Sequence, residues 1–227
     1  MRYKRAFTAL VAAAMLIGVA ATSAGATTGN AVGLGVGIPF GGSPQASTIA
    51  VIGDIPYGTT KLAQFPANIA QINADPDASL VAHVGDIKNG SSLCTDDYFT
   101  TIRSDFDQFQ KPLVYTPGDN EWTDCHRANN GGYLPTERLA KLRADFFPVP
   151  GQTLGLHPRW VLTQSLEPQN HAYVENTMWA QSGVVFAALN LPGSNNDLVP
   201  WFGVTPLSSV QQDEYSNRPR GPSASRS

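Results

Sequence analysis

Three runs of the sequence end an apolar stretch in Gly-Asp: Ser47 to Asp54 (STIAVIGD), Leu80 to Asp86 (LVAHVGD) and Leu113 to Asp119 (LVYTPGD). A lone Gly-Asp after a strand is ordinarily a turn or cap, because Asp accepts backbone hydrogen bonds and Gly tolerates unusual dihedrals. Three of them, 32 and 33 residues apart, suggest a common purpose. Carboxylates gathered in one place repel each other unless a cation neutralises them, so a divalent metal site is the chemistry expected. The third loop, Gly118-Asp119-Asn120-Glu121-Trp122-Thr123-Asp124-Cys125-His126-Arg127, adds oxygen, amide and imidazole donors. Oxygen donors suit Mg²⁺ or Mn²⁺, and an imidazole admits Zn²⁺ or Fe.

The elements that must position these groups follow from the spacing. About 32 residues is the length of a βαβ unit, so the three runs read as neighbouring parallel strands finishing on one edge of a sheet, where ligands of open α/β sheets bind. Leu62 to Ala74 carries Leu62, Phe65, Ile69 and Ile72 at helical spacing, with Pro66 expected in the first turn. Asp96 and Asp97 open a second crossover helix bearing Tyr98, Phe99, Ile102, Phe106 and Phe109. Thr136-Glu137 opens a third, with Leu139, Leu142 and Phe146 on one face and Pro148 after it. The pattern then changes: His171 to Trp179 and Val184 to Leu191 read as a β-hairpin around Ala180–Gly183. Asn190 to Pro200 is rich in turn formers, and a short polar helix is expected at Ser208 to Tyr215.

The ends are different. Arg2, Lys4 and Arg5, an apolar run from Ala6 to Ala21 and Ala24-Gly25-Ala26 form an export-signal pattern over residues 1–26. The rival, a membrane anchor, needs about 20 apolar residues, more than this run supplies. Residues 27–46 form a Gly-rich leader, 47–215 the folded domain, and 216–227 a tail without core-forming residues, expected to be disordered. Loss of the signal removes Arg2, Lys4 and Arg5 and no acidic residue, taking the formal charge from −3 to −6. Nucleic-acid binding is not expected on that charge, because a binding face needs clustered Lys and Arg. Export places Cys94 and Cys125 in oxidising surroundings, so a disulfide stapling the second and third loops is expected, against two buried free thiols.

These motifs resemble the calcineurin-like metallophosphoesterases, whose signatures are D-x-H, GDxxxxG or a variant, and GNH[DE], each after a strand of a two-sheet αββα sandwich, then two later histidine motifs. Asp54 matches the first aspartate, Gly85-Asp86-Ile87-Lys88-Asn89-Gly90 the second motif with a shorter return to Gly, and Gly118-Asp119-Asn120-Glu121 the third, over roughly Ser47 to Asp197. The resemblance implies that Asp54 binds one metal, Asp86 bridges two, and Asp119 binds the second. It departs where Pro56 stands for the first histidine, where Asn120 replaces the histidine that protonates the leaving group, and where no histidine follows His171. His126 can supply an imidazole either to a metal or to the leaving group. The absent motifs imply an unfinished second sheet and a C-terminally truncated domain.

Of the remaining histidines, His83 is expected to be a hydrogen-bonded core residue and His157 to lie in a loop, while His171 sits too far along for more than a distant contribution. The four tryptophans read as packing residues. The function expected is an exported (secreted or periplasmic) phosphoesterase with two divalent metal ions, Mn, Fe, Zn or Mg, acting on phosphomonoesters or phosphodiesters. Lys88 and Arg127 would steady the phosphoryl charge or simply be solvated at the surface. The alternative is a non-catalytic metal or ligand binder on the same scaffold. A serine hydrolase lacks its nucleophile, because Ile55 follows Asp54, and an aspartyl-phosphate enzyme lacks a second Asp at position 56.

Overall fold

The computed structural model describes residues 19–20 and 46–218. Its first sheet is parallel, in the order β2 (Thr48–Ile52), β3 (Ala78–His83), β4 (Leu113–Tyr115). The register Ile52 to His83 to Tyr115 aligns the strand ends, so the three loops leave from one edge. The central strand is buried at every position except Ser79, as expected of a parallel strand covered on both faces.

Helices α1 (Gly58–Ala74), α2 (Asp96–Phe106) and α3 (Pro135–Phe146) all contribute to one core on one side of this sheet. The helix α1 begins four residues earlier than the apolar spacing indicates, so Pro66 lies in its interior and not in a first turn. Pro66 withholds one helical N–H. The helix continues because Phe65 and Ile69 are both buried against the sheet. Thr95 Oγ1 caps α2 by accepting from Tyr98 N at 3.2 Å. Phe106 is the centre of the packing, with Tyr115, Phe146 and His83 rings 5.5, 5.7 and 5.2 Å away. Each fully buried phenylalanine is worth roughly 1.5–3 kcal/mol.

The other face of the parallel sheet packs on a second, antiparallel sheet through Leu80, Ala82, Val114 and Trp179, with Phe186 against them. Its order is β1 (Val19–Ala20), β7 (Val184–Ala188), β6 (Thr177–Gln181), β5 (Leu162–Thr163). The hairpin turn is Ser182-Gly183, both at positive φ (53° and 77°), which suits a two-residue connection between twisted strands. The strand expected from His171 begins only at Thr177, because Pro168–Asn170 form a 3₁₀ turn and the following residues remain in turns. The architecture is α/β with two small sheets and helices on the first.

The C-terminal helix Ser209–Asn217 is capped by Ser208. It runs past the expected start of the tail at 216, and Arg218 is 7% exposed and paired with Asp197 and Glu214. Composition missed this because Arg218 is held by charge. The rest of the tail, the Gly-rich leader up to residue 45 and the export signal other than Val19–Ala20 lie outside the described residues.

Cys94 and Cys125 are fully buried and form a disulfide between the second and third loops. Closing a loop of this length contributes about 3 to 4 kcal/mol in the chain-entropy account. Replacing both cysteines by serine should therefore lower the unfolding free energy by about that amount in urea titrations, and a loss below about 1 kcal/mol would contradict it.

Candidate metal centre

The three loops meet so closely that their glycines have no room for a side chain. A methyl group at Gly118 would lie 2.0 Å from Oδ1 of Asp86, one at Gly85 would lie 2.6 Å from the Gly118 nitrogen, and one at Gly53 would lie 2.6 Å from Val84 Cγ2. Asp54 and Asp86 both adopt φ of 56°, a left-handed conformation that a short polar side chain tolerates better than most. The ladder persists through the bend, with Asp54 N donating to Gly85 O at 3.1 Å.

Buried polar side chains lock this arrangement. His83 accepts from Gly85 N on Nδ1 at 3.2 Å and donates from Nε2 to Ile55 O at 2.9 Å, tying the second strand to the first loop. Burial lowers its pKa to about 4, so it is neutral at physiological pH, a core residue as expected. Glu121 accepts through Oε1 from Tyr115 Oη at 2.8 Å and Gly118 N at 2.7 Å. It is fully buried, and burial raises its pKa. The sequence points Lys88 to a phosphoryl group or to solvent. The structure buries it completely, its Nζ donating to the carbonyls of Asn120 at 2.7 Å and Asn89 at 3.0 Å. Burial pulls its pKa down to about 8, and the two disulfide sulfurs lie 3.6 and 3.7 Å from the same Asn120 oxygen.

On this frame Asp54, Asp86 and Asn120 converge on a residue the sequence reading overlooked, Tyr57. Its hydroxyl donates to Asp54 Oδ1 at 2.9 Å, lies 3.4 Å from Asp86 Oδ2 and accepts from Asn120 Nδ2 at 3.3 Å. Asn120 N also donates to Asp86 Oδ1 at 3.3 Å. Burial, followed by the charges of Asp86 and Asp54, raises the Tyr57 pKa. Asp86 is raised to about 8 by burial, then by Glu121, Asp119 and Asp54, against the Asn120 hydrogen bond.

Asp119 joins the cluster through its field and its backbone. Its charge raises both Asp86 and Asp124, and its carbonyl accepts from Trp122 N and Asp124 N, which folds the 3₁₀ turn Thr123–His126. Gly193 packs on its carboxylate, since a methyl group there would lie 2.2 Å from Oδ2. Asp124, raised to about 6 chiefly by burial, pairs with Arg127 at 2.5 Å and accepts from Ser194 Oγ at 3.4 Å. Ser194 to Asp197 all have positive φ, a left-handed turn held by the C-terminal helix. Gln211, fully buried, donates to the carbonyls of Asp197 and Val199 and accepts from Trp201 N. His126 Nδ1 accepts from Phe202 N at 3.0 Å, and burial and Arg127 lower its pKa, leaving a neutral ring with Nε2–H free of that bond. It is thus tied to Phe202, on a different loop from the aspartates.

Among the described residues, no three His, Cys, Asp or Glu side chains converge as a group that could hold a metal ion. The groups that do meet are two carboxylates and a phenol oxygen, oxygen donors of the kind a Mg²⁺- or Mn²⁺-like cation takes, with the Asn120 amide nitrogen donating to the phenol. A signal for Tyr57 was present in the sequence as Gly-Asp-x-x-Tyr, and one for Gly193 in the turn-rich NLPGSNN.

The chain belongs to the calcineurin-like phosphoesterase family, whose model matches residues 47–213. No curated protein and no solved structure matches it.

The raised Asp86 sets a pH dependence. Above the unfolded value of about 3.9 the unfolded carboxyl has lost its proton while the folded one keeps it up to about 8, so this group makes the metal-free protein less stable as pH rises across that range. His83 acts with the opposite sign, but only below 6.5. Between pH 6.5 and 8 the melting temperature without metal should therefore fall, Asp86→Asn should flatten the slope, and saturating Mn²⁺ should reverse it. An unaltered slope in Asp86→Asn would contradict this electrostatic picture.

Proposed function

We propose that this chain is an exported phosphoesterase that hydrolyses phosphomonoesters or phosphodiesters with two divalent metal ions at the Gly-Asp edge. The observation that carries the reading is the convergence of Asp54, Asp86, Tyr57 and Asn120 at the ends of parallel strands, in a chain of the calcineurin-like phosphoesterase family. Asp54 and Asp86 would hold one ion, and Asp86 and Asp119 the other. Such ions, when bound, supply a water nucleophile at neutral pH and neutralise charge on the phosphoryl oxygens.

The chain's own side chains divide the remaining work. Arg127, 40% exposed and oriented by Asp124, faces outward from the third loop and can pair with phosphoryl oxygens. Lys88 holds the Asn120 backbone in place from below. His126, with Nδ1 occupied, offers Nε2–H as a hydrogen bond to the leaving-group oxygen. Secretion is supported by the export-signal pattern and by the buried disulfide. The second reading, a binder without turnover, is favoured by one observation: Pro56 and Asn120 stand within the matched range where the resembling motifs carry histidines.

Mn²⁺ titration calorimetry and hydrolysis of p-nitrophenyl phosphate and its bis ester distinguish these readings. Asp86→Asn should weaken Mn²⁺ binding by about 10-fold or more beyond Asp54→Asn, since it would contact both ions. His126→Ala should leave Mn²⁺ affinity unchanged while slowing turnover of poor leaving groups by roughly 10-fold, a hydrogen bond to a developing charge being worth about 1.5 kcal/mol. Tight Mn²⁺ binding without hydrolysis of either ester would select the non-catalytic binder.

A further inference from the structure

The segment from Gly193 to Gly203 lies against the third loop at three places. Gly193 packs on the Asp119 carboxylate, Ser194 Oγ donates to Asp124 Oδ1 at 3.4 Å, and Phe202 N donates to His126 Nδ1 at 3.0 Å. Ser194, Asn195, Asn196, Asp197 and Phe202 all have φ between 54° and 67°. Residues with a side chain rarely adopt that conformation, and it persists only where surrounding contacts impose it.

Those contacts converge on Arg218, which ends the helix Ser209–Asn217. Its Nη1 donates to Asn196 Oδ1 at 2.8 Å, its Nη2 to Asp197 Oδ2 at 3.3 Å and its Nε to Glu214 Oε1 at 3.0 Å, while its Cζ stands 5.2 Å from the centre of the Trp122 ring on the third loop. Asp197 Oδ1 accepts from Trp201 Nε1 at 2.7 Å, which ties the start of the segment to its end. One guanidinium therefore fastens segment, helix and third loop together.

The side chains of Asp197, Glu214 and Arg218 are only 2%, 11% and 8% exposed. The two carboxyls hydrogen-bond each other, which needs a proton between them. Across the neighbouring groove stand Tyr173, whose hydroxyl donates to the Asn217 carbonyl, and Arg143, whose guanidinium is held by both carboxylate oxygens of Glu175; Asp213 is exposed. Arg218 is thus the one cation paired with the two carboxyls. With the proton the cluster is neutral, and without it a net negative charge is buried, which costs desolvation energy. Burial, followed by the contact with Glu214, raises Asp197 to about 7.

We propose that Gly193 to Gly203 is a strap over the third loop, buckled by Arg218 between Asp197 and Glu214, and that the proton shared by the two carboxyls keeps it fastened. Opening breaks the Asp197–Arg218 pair and releases that proton to solvent. From the ordinary carboxyl value of about 3.9 up to about 7 the open form has lost the proton and the closed form keeps it, so each pH unit favours opening about tenfold. Above that range both forms are deprotonated and the dependence levels off. The strap sets the placement of Asp124 and His126 and does not require a metal ion.

Hydrogen–deuterium exchange of the full mature chain between about pH 5 and 8, corrected for the intrinsic exchange rate, tests this. Protection of residues 193–203 should fall about tenfold per unit up to about pH 7 and then level off. Asp197→Asn, which can still donate to Glu214 and accept from Trp201, should hold its protection across the range. Arg218→Ala should lose protection of the strap at every pH while the central strand Ala78–His83 keeps its own, and if that variant fails to fold the slope of Asp197→Asn decides. A wild-type strap equally protected at both ends of the range, the wild-type slope in Asp197→Asn, or a slope shared equally by Ala78–His83 overturns the inference.

Discussion

Oδ1 of Asp86 rests where a side-chain carbon of residue 118 would otherwise be, 2.0 Å from that position, and most of the site depends on this contact. Gly118 must be glycine for the third loop to pass over the second. Its N–H is then aimed at Glu121, whose other partner Tyr115 is anchored in the aromatic core around Phe106. The crossing also brings Asn120 N to Asp86 and the Asn120 carbonyl to Lys88 and the disulfide. Packing of α1, α2 and α3 on the parallel sheet is thereby converted into the placement of a carboxylate.

The groups around this crossing divide into two kinds. His83, Lys88, Glu121 and Gln211 are buried, and their polar atoms are spent largely on backbone groups of neighbouring loops. Asp54, Tyr57, Asn120 and Arg127 are exposed or half-buried and have capacity left for a ligand. Burial, and after it the neighbouring negative charge, raises Asp86 and Asp124, a state that a bound cation would relieve. Positive φ at non-glycine residues occurs beside the cluster at Asp54, Asp86 and the run from Ser194 to Asp197, as it does at Phe202 and in the hairpin turn at Ser182.

Much of this was legible before the structure. The spacing of the Gly-Asp pairs defined the parallel strands and their common edge, and three amphipathic patterns located the helices, because burial on a sheet leaves a periodic trace. The start of α1 and the interior position of Pro66 were not legible, since the packing of Phe65 and Ile69 outweighs local propensity. Lys88 is the clearest limit: a lysine in a Gly-Asp loop reads as a cation facing outward, and nothing local reveals that two backbone carbonyls will claim it. Tyr57 and Gly193 gain their importance only from contacts with Asp86 and Asp119, 29 and 74 residues away in sequence.

The central claim is that the oxygen cluster at the Gly-Asp edge is a cation site. Its most direct test is anomalous diffraction from crystals of the mature protein soaked in Mn²⁺. The account predicts a manganese peak bonded to Asp86 and Asp54. A well-ordered structure with those carboxylates free of manganese, or with the ion bound only elsewhere, would contradict it.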